Sequence, residues 1–103
     1  MKIVKVTYTA KAEYVSQNQN NIKNVMADLQ KINNPNINYN ACIGADGKSF
    51  THTAFFKNEE DEKILFALPS FKTFQEQLKA NGIETPPKQE LMSLVAASTE
   101  IFK

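Results

Sequence analysis

The chain has 103 residues and a formal net charge of +1 at pH 7, with 42% hydrophobic and 22% charged residues. This length fits one domain with one modest core, and the composition excludes a disordered or fibrous chain. All 12 basic residues are lysine, and because arginine provides the usual bidentate contacts to bases and phosphates, no nucleic-acid partner is expected.

The N-terminal segment alternates lysine with apolar residues, whereas a signal peptide needs a continuous apolar stretch. No window approaches the roughly 20 apolar residues of a membrane helix. The lone Cys42 cannot form an internal disulfide, and we expect it to be a small buried hydrophobe. These features predict a cytoplasmic protein without a membrane partner.

The first strand is predicted at residues 3–12, which alternate in hydropathy and are rich in β-branched side chains. One face carries Val4, Val6, Tyr8 and Ala10, and the other carries Lys5, Thr7 and Thr9.

A helix is predicted to follow from Ser16, because Ser16 and Gln19 form a capping-box pattern. Its apolar stripe has helical spacing and consists of Ile22, Val25, Met26, Leu29 and Ile32. Pro35 disfavours a helical conformation for the residue before it, so the helix should end within residues 33–36.

Two alternating segments, residues 37–43 and 50–56, predict a β-hairpin around the turn Gly44-Ala45-Asp46-Gly47. A second helical segment should follow, with Asn58 as its cap and acidic residues in its first turn, where the helix dipole favours them. Pro69 is expected to interrupt this helix, because proline removes a helical hydrogen bond, and Ser70 should cap the second piece.

The C-terminal part of the chain is predicted to hold the last strand. Gly82 should end the second helical segment. Pro86 and Pro87 are expected to form a stiff connector, and residues 91–102 should form the strand.

The order strand, helix, strand, strand, helix, strand predicts one α+β domain, residues 1–103, with the ferredoxin-like βαββαβ layout. In this layout a four-stranded antiparallel sheet carries its helices on one face. The other face must meet water or a partner. The strands carry small polar or apolar residues on both faces, and charges on the central strands are nearly confined to Lys5 and Glu100. We therefore expect a homodimer in which two sheets pack about a twofold axis.

Four stretches of the sequence are similar to those of a known group of domains. They are the first strand over residues 3–11, the hairpin with Gly47 at its turn, residues 50–56 followed by the acidic cluster 58–62, and Leu68-Pro69-Ser70-Phe71-Lys72-Thr73-Phe74. The last stretch resembles a small-Pro-x-Phe-x-x-Phe pattern in a second helix. Over nearly its full length the chain resembles the dimeric α+β-barrel superfamily, and within it the antibiotic-biosynthesis-monooxygenase-type domains. The resemblance implies two ferredoxin-like sheets paired into a barrel.

That superfamily includes cofactor-independent oxygenases, haem-degrading enzymes, decarboxylases, isomerases and members with no known activity. Where many relatives carry a tryptophan in the third strand, this chain has Phe56. Where haem-degrading members place a ligating histidine on the second helix, it has Leu65 and Phe66. These departures from the pattern of the superfamily predict that the protein binds no haem. No other cofactor and no metal is expected.

His52 is the only histidine, and Phe50 and Ala54 flank it on its strand face. This apolar setting should hold the pKa of His52 near or below neutrality, either for a poised base or for a structural histidine. Tyr8 places a hydroxyl on an otherwise apolar face, as a pocket donor or as a core tyrosine.

Two functions follow as hypotheses. The first is the binding of a small, largely apolar or aromatic molecule between sheet and helices, with Phe56 and Phe71 as walls. The second is a cofactor-independent oxygenase or isomerase with His52 and Tyr8 as catalytic groups. A general base usually has an orienting partner, and the sequence shows none, which favours the first. A pocket beside His52 together with a partner on its other ring nitrogen would distinguish them.

Overall fold

A four-stranded antiparallel sheet carries the helices on one face in the computed structural model, which describes residues 1–102. In chain order the elements are β1 (Lys2–Ala10), α1 (Val15–Ile32), β2 (Ile37–Ile43), β3 (Ser49–Phe56), α2 (Glu59–Ala67), α3 (Pro69–Gln77) and β4 (Ile83–Met92). The strands lie side by side in the order β2-β3-β1-β4. The predicted ferredoxin-like α+β fold is confirmed. Within residues 1–102, no helix is long and apolar enough to cross a membrane.

The alternating burial of side chains along the central strands shows which face of the sheet the helices cover. On β3, Phe50, His52, Ala54 and Phe56 are buried, and the residues between them are only partly buried. Tyr8 of β1 belongs to the same buried cluster. The helices add the buried apolar side chains Val25, Leu65, Phe71 and Phe74. The core therefore lies between this sheet face and the three helices.

The β2–β3 hairpin forms as predicted, and its turn shows why it needs a glycine. Gly47 has φ +76°, in the left-handed region that side chains disfavour. The Asp46 carboxylate accepts hydrogen bonds from the backbone N–H groups of Lys48 and Ser49, at 3.0 and 2.9 Å. With the Ser49 hydroxyl, these donors lower the pKa of Asp46 to about 2.

Helix α1 begins at Val15, without the predicted Ser16 cap. A 3-10 turn over Ala12–Tyr14 precedes it, and the Val15 N–H donates to the Ala12 carbonyl. This turn satisfies a backbone donor at the helix start, so no capping side chain is needed there. The helix ends where expected, with Asn33 in the left-handed conformation at φ 53°.

The second helical segment is interrupted at Pro69, as predicted. Leu68 is extended between α2 and α3, and Pro69 is the first residue of α3, where a helix requires no N–H donor. Leu68 is therefore the cap residue, and the expected Ser70 cap is wrong. Helix α2 starts as expected, because Asn58 precedes it and donates its backbone N–H to the Asp61 carboxylate at 2.9 Å.

The last strand lies earlier in the chain than predicted. A π-helical turn over Leu78–Gly82 leads directly into β4 at Ile83, and the strand ends at Met92. Residues 93–102, most of the expected strand, form none.

Pro86 and Pro87 lie inside β4, although a connector was expected there. Proline cannot donate to a strand ladder, so it is tolerated only at edges and bulges. Both conditions hold, since β4 is an edge strand and its register with β1 shifts between Thr7 and Thr9. The two prolines are tolerated because β4 lies at the edge of the sheet, and the local sequence does not reveal that position.

The C-terminal segment, residues 93–102, crosses the sheet face opposite the helices. It leaves β4 at one edge, and at the other edge the Asn38 side chain donates to the Ile101 carbonyl at 3.2 Å. Asn38 points away from the helix side because strand side chains alternate and its neighbour Tyr39 faces the core. Glu100, expected on a central strand, lies in this segment. We call this face the open face.

The open side of edge strand β2 stays accessible. Asn38, Asn40 and Cys42 are all exposed there, so the expected burial of Cys42 is wrong. The helix-side residues of the same strand, Tyr39 and Ala41, are partly buried. Residue type alone did not reveal which side of the strand Cys42 occupies.

Replacing Gly82 with alanine tests the close packing at the start of β4. A Cβ at this position would overlap the ring of buried Tyr14. We expect the Gly82→Ala variant to lose about 1–3 kcal/mol of unfolding free energy, measured by urea denaturation, because overpacking forces the core to shift. Gly44→Ala is the matched control, since its Cβ would have 3.5 Å to its nearest neighbour. Equal stability of the two variants would contradict this packing.

Candidate functional site

His52 lies in the middle of β3, with its side chain on the helix side of the sheet and only 4% exposed. Its Nε2 is 2.8 Å from the Tyr8 hydroxyl, and its Nδ1 is 2.6 Å from the Tyr39 hydroxyl. A buried polar atom without a partner is costly, and here both ring nitrogens have one. The orienting partners that the sequence did not show are therefore present.

The strand register brings these three side chains together. Val6 of β1 and Ala41 of β2 lie directly opposite His52. Tyr8 follows Val6 by two residues and Tyr39 precedes Ala41 by two, so both lie on the same face as His52 and diagonal to it. Aromatic side chains are long enough to interact across such diagonal positions.

Asn18 of α1 joins the two tyrosines and the histidine from the helix side. Its Nδ2 donates to the Tyr8 hydroxyl at 2.8 Å, and the residue is 0% exposed. Its Oδ1 has no hydrogen-bond partner among the described residues. We call Asn18, Tyr8, His52 and Tyr39 the His52 cluster.

A cavity of about 480 Å³ opens beside the His52 cluster. Small-molecule sites in proteins typically have volumes of about 300–1,000 Å³. Tyr8, His52 and Tyr39 of the cluster line the cavity. The apolar wall consists of Val6, Phe71, Phe74, Leu78, Ile83 and Pro87, and the rest of the polar wall of Gln75, Lys79 and Gln89. The cavity therefore combines a largely apolar surface with one buried polar cluster.

The break at Pro69 gives α3 its own position over the cluster. The Phe74 ring lies 5.3 Å from the His52 ring, and the Phe71 ring meets Tyr39 edge-on at 6.4 Å between centroids. Phe66, at the end of α2, stacks on Phe71 at 5.7 Å but is half exposed. Two phenylalanines of α3 thus line the cavity, and the one on α2 supports them from outside.

Burial keeps the cluster uncharged at neutral pH. It lowers the pKa of His52 to about 4 and raises the pKa of both Tyr8 and Tyr39 far above their usual value. An imidazole with so low a pKa is a weak proton acceptor. The cluster therefore offers hydrogen-bond donors and acceptors and no charge. Within residues 1–102, no three His, Cys, Asp or Glu side chains are grouped so that they could hold a metal ion.

Three of the four residues proposed for the site from the sequence line this cavity: His52, Tyr8 and Phe71. Phe56 does not reach it. It lies four residues from His52 along β3, about 13 Å in an extended strand, and is buried in the core opposite Ile37.

Two members of the cluster were not found from the sequence. Tyr39 had a usable signal, because it alternates onto the inner face of the strand that pairs with the His52 strand. Asn18 had none, since an asparagine near a helix start usually indicates a cap or a solvent-facing position. Its burial depends on how α1 packs over the sheet.

Solved structures with this fold include antibiotic biosynthesis monooxygenases. An antibiotic biosynthesis monooxygenase-like protein from Nitrosomonas europaea matches 93% of this chain and 100% of its own, with TM-score 0.77 and 14% identity. One from Deinococcus radiodurans matches 97% and 98%, with TM-score 0.72 and 18% identity. SnoaB, a cofactor-independent oxygenase from Streptomyces nogalater, matches 96% and 98%, with TM-score 0.68 and 14% identity. The predicted resemblance to antibiotic-biosynthesis-monooxygenase-type domains is thus confirmed as a likeness of fold.

No family model and no curated protein matches the chain. The similarity is therefore one of three-dimensional shape. Because one fold supports many functions, the chemistry has to be argued from the His52 cluster and its cavity.

The depressed pKa of His52 predicts a specific pH dependence of stability. Well above pH 6.5 the imidazole is neutral in both folded and unfolded chains. As the pH falls from 6.5 towards 4, the unfolded chain binds a proton that the folded chain does not, so stability is lost. We expect the unfolding free energy to be about 2 kcal/mol lower at pH 5 than at pH 7, measured by urea denaturation.

The matched control is His52→Gln, which hydrogen-bonds but does not titrate. It should be less stable at pH 7 and should lose most of the difference between pH 7 and pH 5. The charged and titratable groups around the ring are Tyr8, Tyr39 and the cavity-lining Lys79, and Asp46 titrates below this range. An unchanged pH dependence in the variant would contradict the burial of a neutral His52.

Proposed function

We propose that the protein binds a small, largely apolar or aromatic molecule between its sheet and helices. The cavity of about 480 Å³ beside the His52 cluster carries this proposal. Removing an apolar ligand from water supplies affinity, and a few buried polar groups fix its orientation. The aromatic walls Phe71 and Phe74 suit a flat ring system.

The charge of the cavity lining favours a ligand that carries no strong positive charge. Among the described lining residues, Lys79 is the only charged side chain at neutral pH, and it is exposed. The buried polar groups in the lining are hydroxyl and imidazole, which bind a neutral polar atom without the cost of burying a charge. A neutral aromatic molecule with one polar substituent fits these conditions.

A cofactor-independent oxygenase or isomerase is the second candidate. One observation favours it, namely that hydrogen-bond partners on the ring nitrogens fix the orientation of His52 beside the cavity. SnoaB, a cofactor-independent oxygenase, shares the fold. The pKa of about 4 weighs against His52 as a general base near pH 7, which places binding first. Consumption of dissolved dioxygen in the presence of a bound aromatic molecule would distinguish oxygenase turnover from binding.

We also propose that the protein is a homodimer joined through its open face. Three apolar side chains between the end of β4 and the start of the C-terminal segment are exposed: Met92, which lies opposite Ile3 on this face, Leu94 and Val95. Val95 is 99% exposed, and a run of accessible apolar residues indicates an association surface. The central strand β3 has no Asp, Glu, Lys or Arg, which favours an apolar contact at this face, with the C-terminal segment that crosses it as part of the interface. We also expect the protein to be located in the cytoplasm, where the exposed Cys42 thiol stays reduced.

The binding proposal is tested with fluorene, a flat three-ring hydrocarbon that is itself fluorescent. Fluorene at a fixed submicromolar concentration is titrated with protein, and saturable binding is expected. Val6→Phe places a larger side chain in the cavity wall and should weaken binding at least about tenfold. Val4→Phe makes the same change two residues away on the same strand face, outside the cavity lining, and should leave binding nearly unchanged. Absence of saturable fluorene binding, or equal affinity of both variants, would refute the proposal.

The dimer proposal predicts a sedimenting mass of twice 11.6 kDa at micromolar concentration. Val95→Asp should shift the equilibrium towards the monomer, because it places a charge in an apolar contact. The folded monomer should tolerate this change, since Val95 is exposed. Asn20→Asp adds the same charge at an exposed position of α1 and should leave the dimer intact. A wild-type protein that sediments as a monomer would exclude the dimer.

A further inference from the structure

The hydrogen bonds of the His52 cluster have a direction, and Asn18 sets it. The Asn18 amide group donates to the Tyr8 oxygen at 2.8 Å. The Tyr8 hydroxyl hydrogen then needs its own acceptor. Because the Asn18 amide presents its Nδ2 and not its Oδ1 to Tyr8, that acceptor is His52 Nε2, 2.8 Å away. If Nε2 carried the proton instead, the Tyr8 hydrogen would remain unpaired in a residue that is only 4% exposed. The favoured arrangement has Tyr8 donating to Nε2.

This direction fixes the protonation of the other ring nitrogen of His52, Nδ1. A neutral imidazole carries one proton, so an accepting Nε2 leaves the proton on Nδ1. Nδ1 then donates to the Tyr39 oxygen, 2.6 Å away. The hydrogen of the Tyr39 hydroxyl has no further protein acceptor among the described residues, and Tyr39 lines the cavity and is only partly buried.

We propose that His52 is held in the Nδ1–H tautomer and that the Tyr39 hydroxyl donates to the ligand, so that the cavity selects molecules with a hydrogen-bond acceptor. This inference rests on the proposed binding function and names the chemical class of its ligand. The chain of donors runs from Asn18 through Tyr8 and His52 to Tyr39 and ends at the cavity.

The tautomer is tested in the free protein by ¹⁵N NMR at neutral pH. Because His52 is the only histidine, its two ring nitrogens give a single pair of resonances that needs no assignment by mutation. We expect Nδ1 to be the protonated nitrogen and Nε2 the unprotonated one. The opposite pattern, or an average of the two tautomers, would overturn the proposed direction.

The selectivity is tested with three ligands of the same three-ring shape. Fluorenone carries a carbonyl acceptor, fluorene carries a methylene group, and carbazole carries an N–H donor. We expect fluorenone to bind about two- to tenfold more tightly than fluorene, the gain of one neutral hydrogen bond. Carbazole should gain nothing over fluorene. The affinity of fluorenone is measured by competition against fluorene.

The Tyr39→Phe variant should abolish the preference, so that the ratio of the fluorenone and fluorene affinities falls to about one. Tyr14→Phe is the matched control, because Tyr14 is a buried tyrosine outside the cavity lining. It should keep the preference.

Failure of the acceptor selectivity can be distinguished from failure of the binding function. Equal binding of all three ligands, or a preference for carbazole, would overturn the acceptor selectivity and leave the binding function standing. Binding of none of them would refute the binding function and the selectivity together. In that case the NMR pattern would still decide the direction of the hydrogen bonds.

Discussion

The burial of one neutral imidazole in the centre of the sheet is the constraint on which the candidate site depends. His52 is 4% exposed, so both ring nitrogens require partners within the protein. Tyr8 and Tyr39 provide them from the two strands that flank β3, and Asn18 then supplies a donor to Tyr8 from the helix above. Four polar side chains from three strands and a helix therefore depend on one another, and a change in any of them leaves a buried polar atom unpaired.

The same constraint shapes the chemistry that the cavity supports. Desolvation holds the imidazole neutral, so the site presents hydrogen-bonding groups and no charge to a ligand. The break at Pro69 gives α3 an orientation of its own, and this helix places Phe71 and Phe74 against the cluster as apolar walls. A fixed polar group beside flat aromatic walls is suited to recognising one polar atom on a ring system. The arrangement is less suited to removing a proton from a substrate near pH 7, because His52 is too weak a base.

Much of the fold could be predicted from the sequence, because alternation and helical spacing are local signals. They placed β1, β2 and β3, the strand face that His52 shares with Phe50 and Ala54, and the helix break at Pro69. Features that depend on sheet position were not accessible in this way. The edge location and register shift that admit Pro86 into β4 belong to the whole sheet, and so does the diagonal placement of Tyr39 beside His52. Asn18 could not be found because its burial follows from helix packing, which the local pattern does not reveal.

The most direct test of a neutral, doubly hydrogen-bonded His52 is an NMR titration of its ring resonances in the folded protein. As the only histidine, it can be followed without ambiguity from pH 7 downwards. The ring should remain uncharged through pH 5.5 and should titrate with a midpoint near its lowered pKa of about 4, or only when the protein unfolds. A midpoint near 6.5, the value of an unperturbed histidine, would show a solvated ring and would contradict this account of the site.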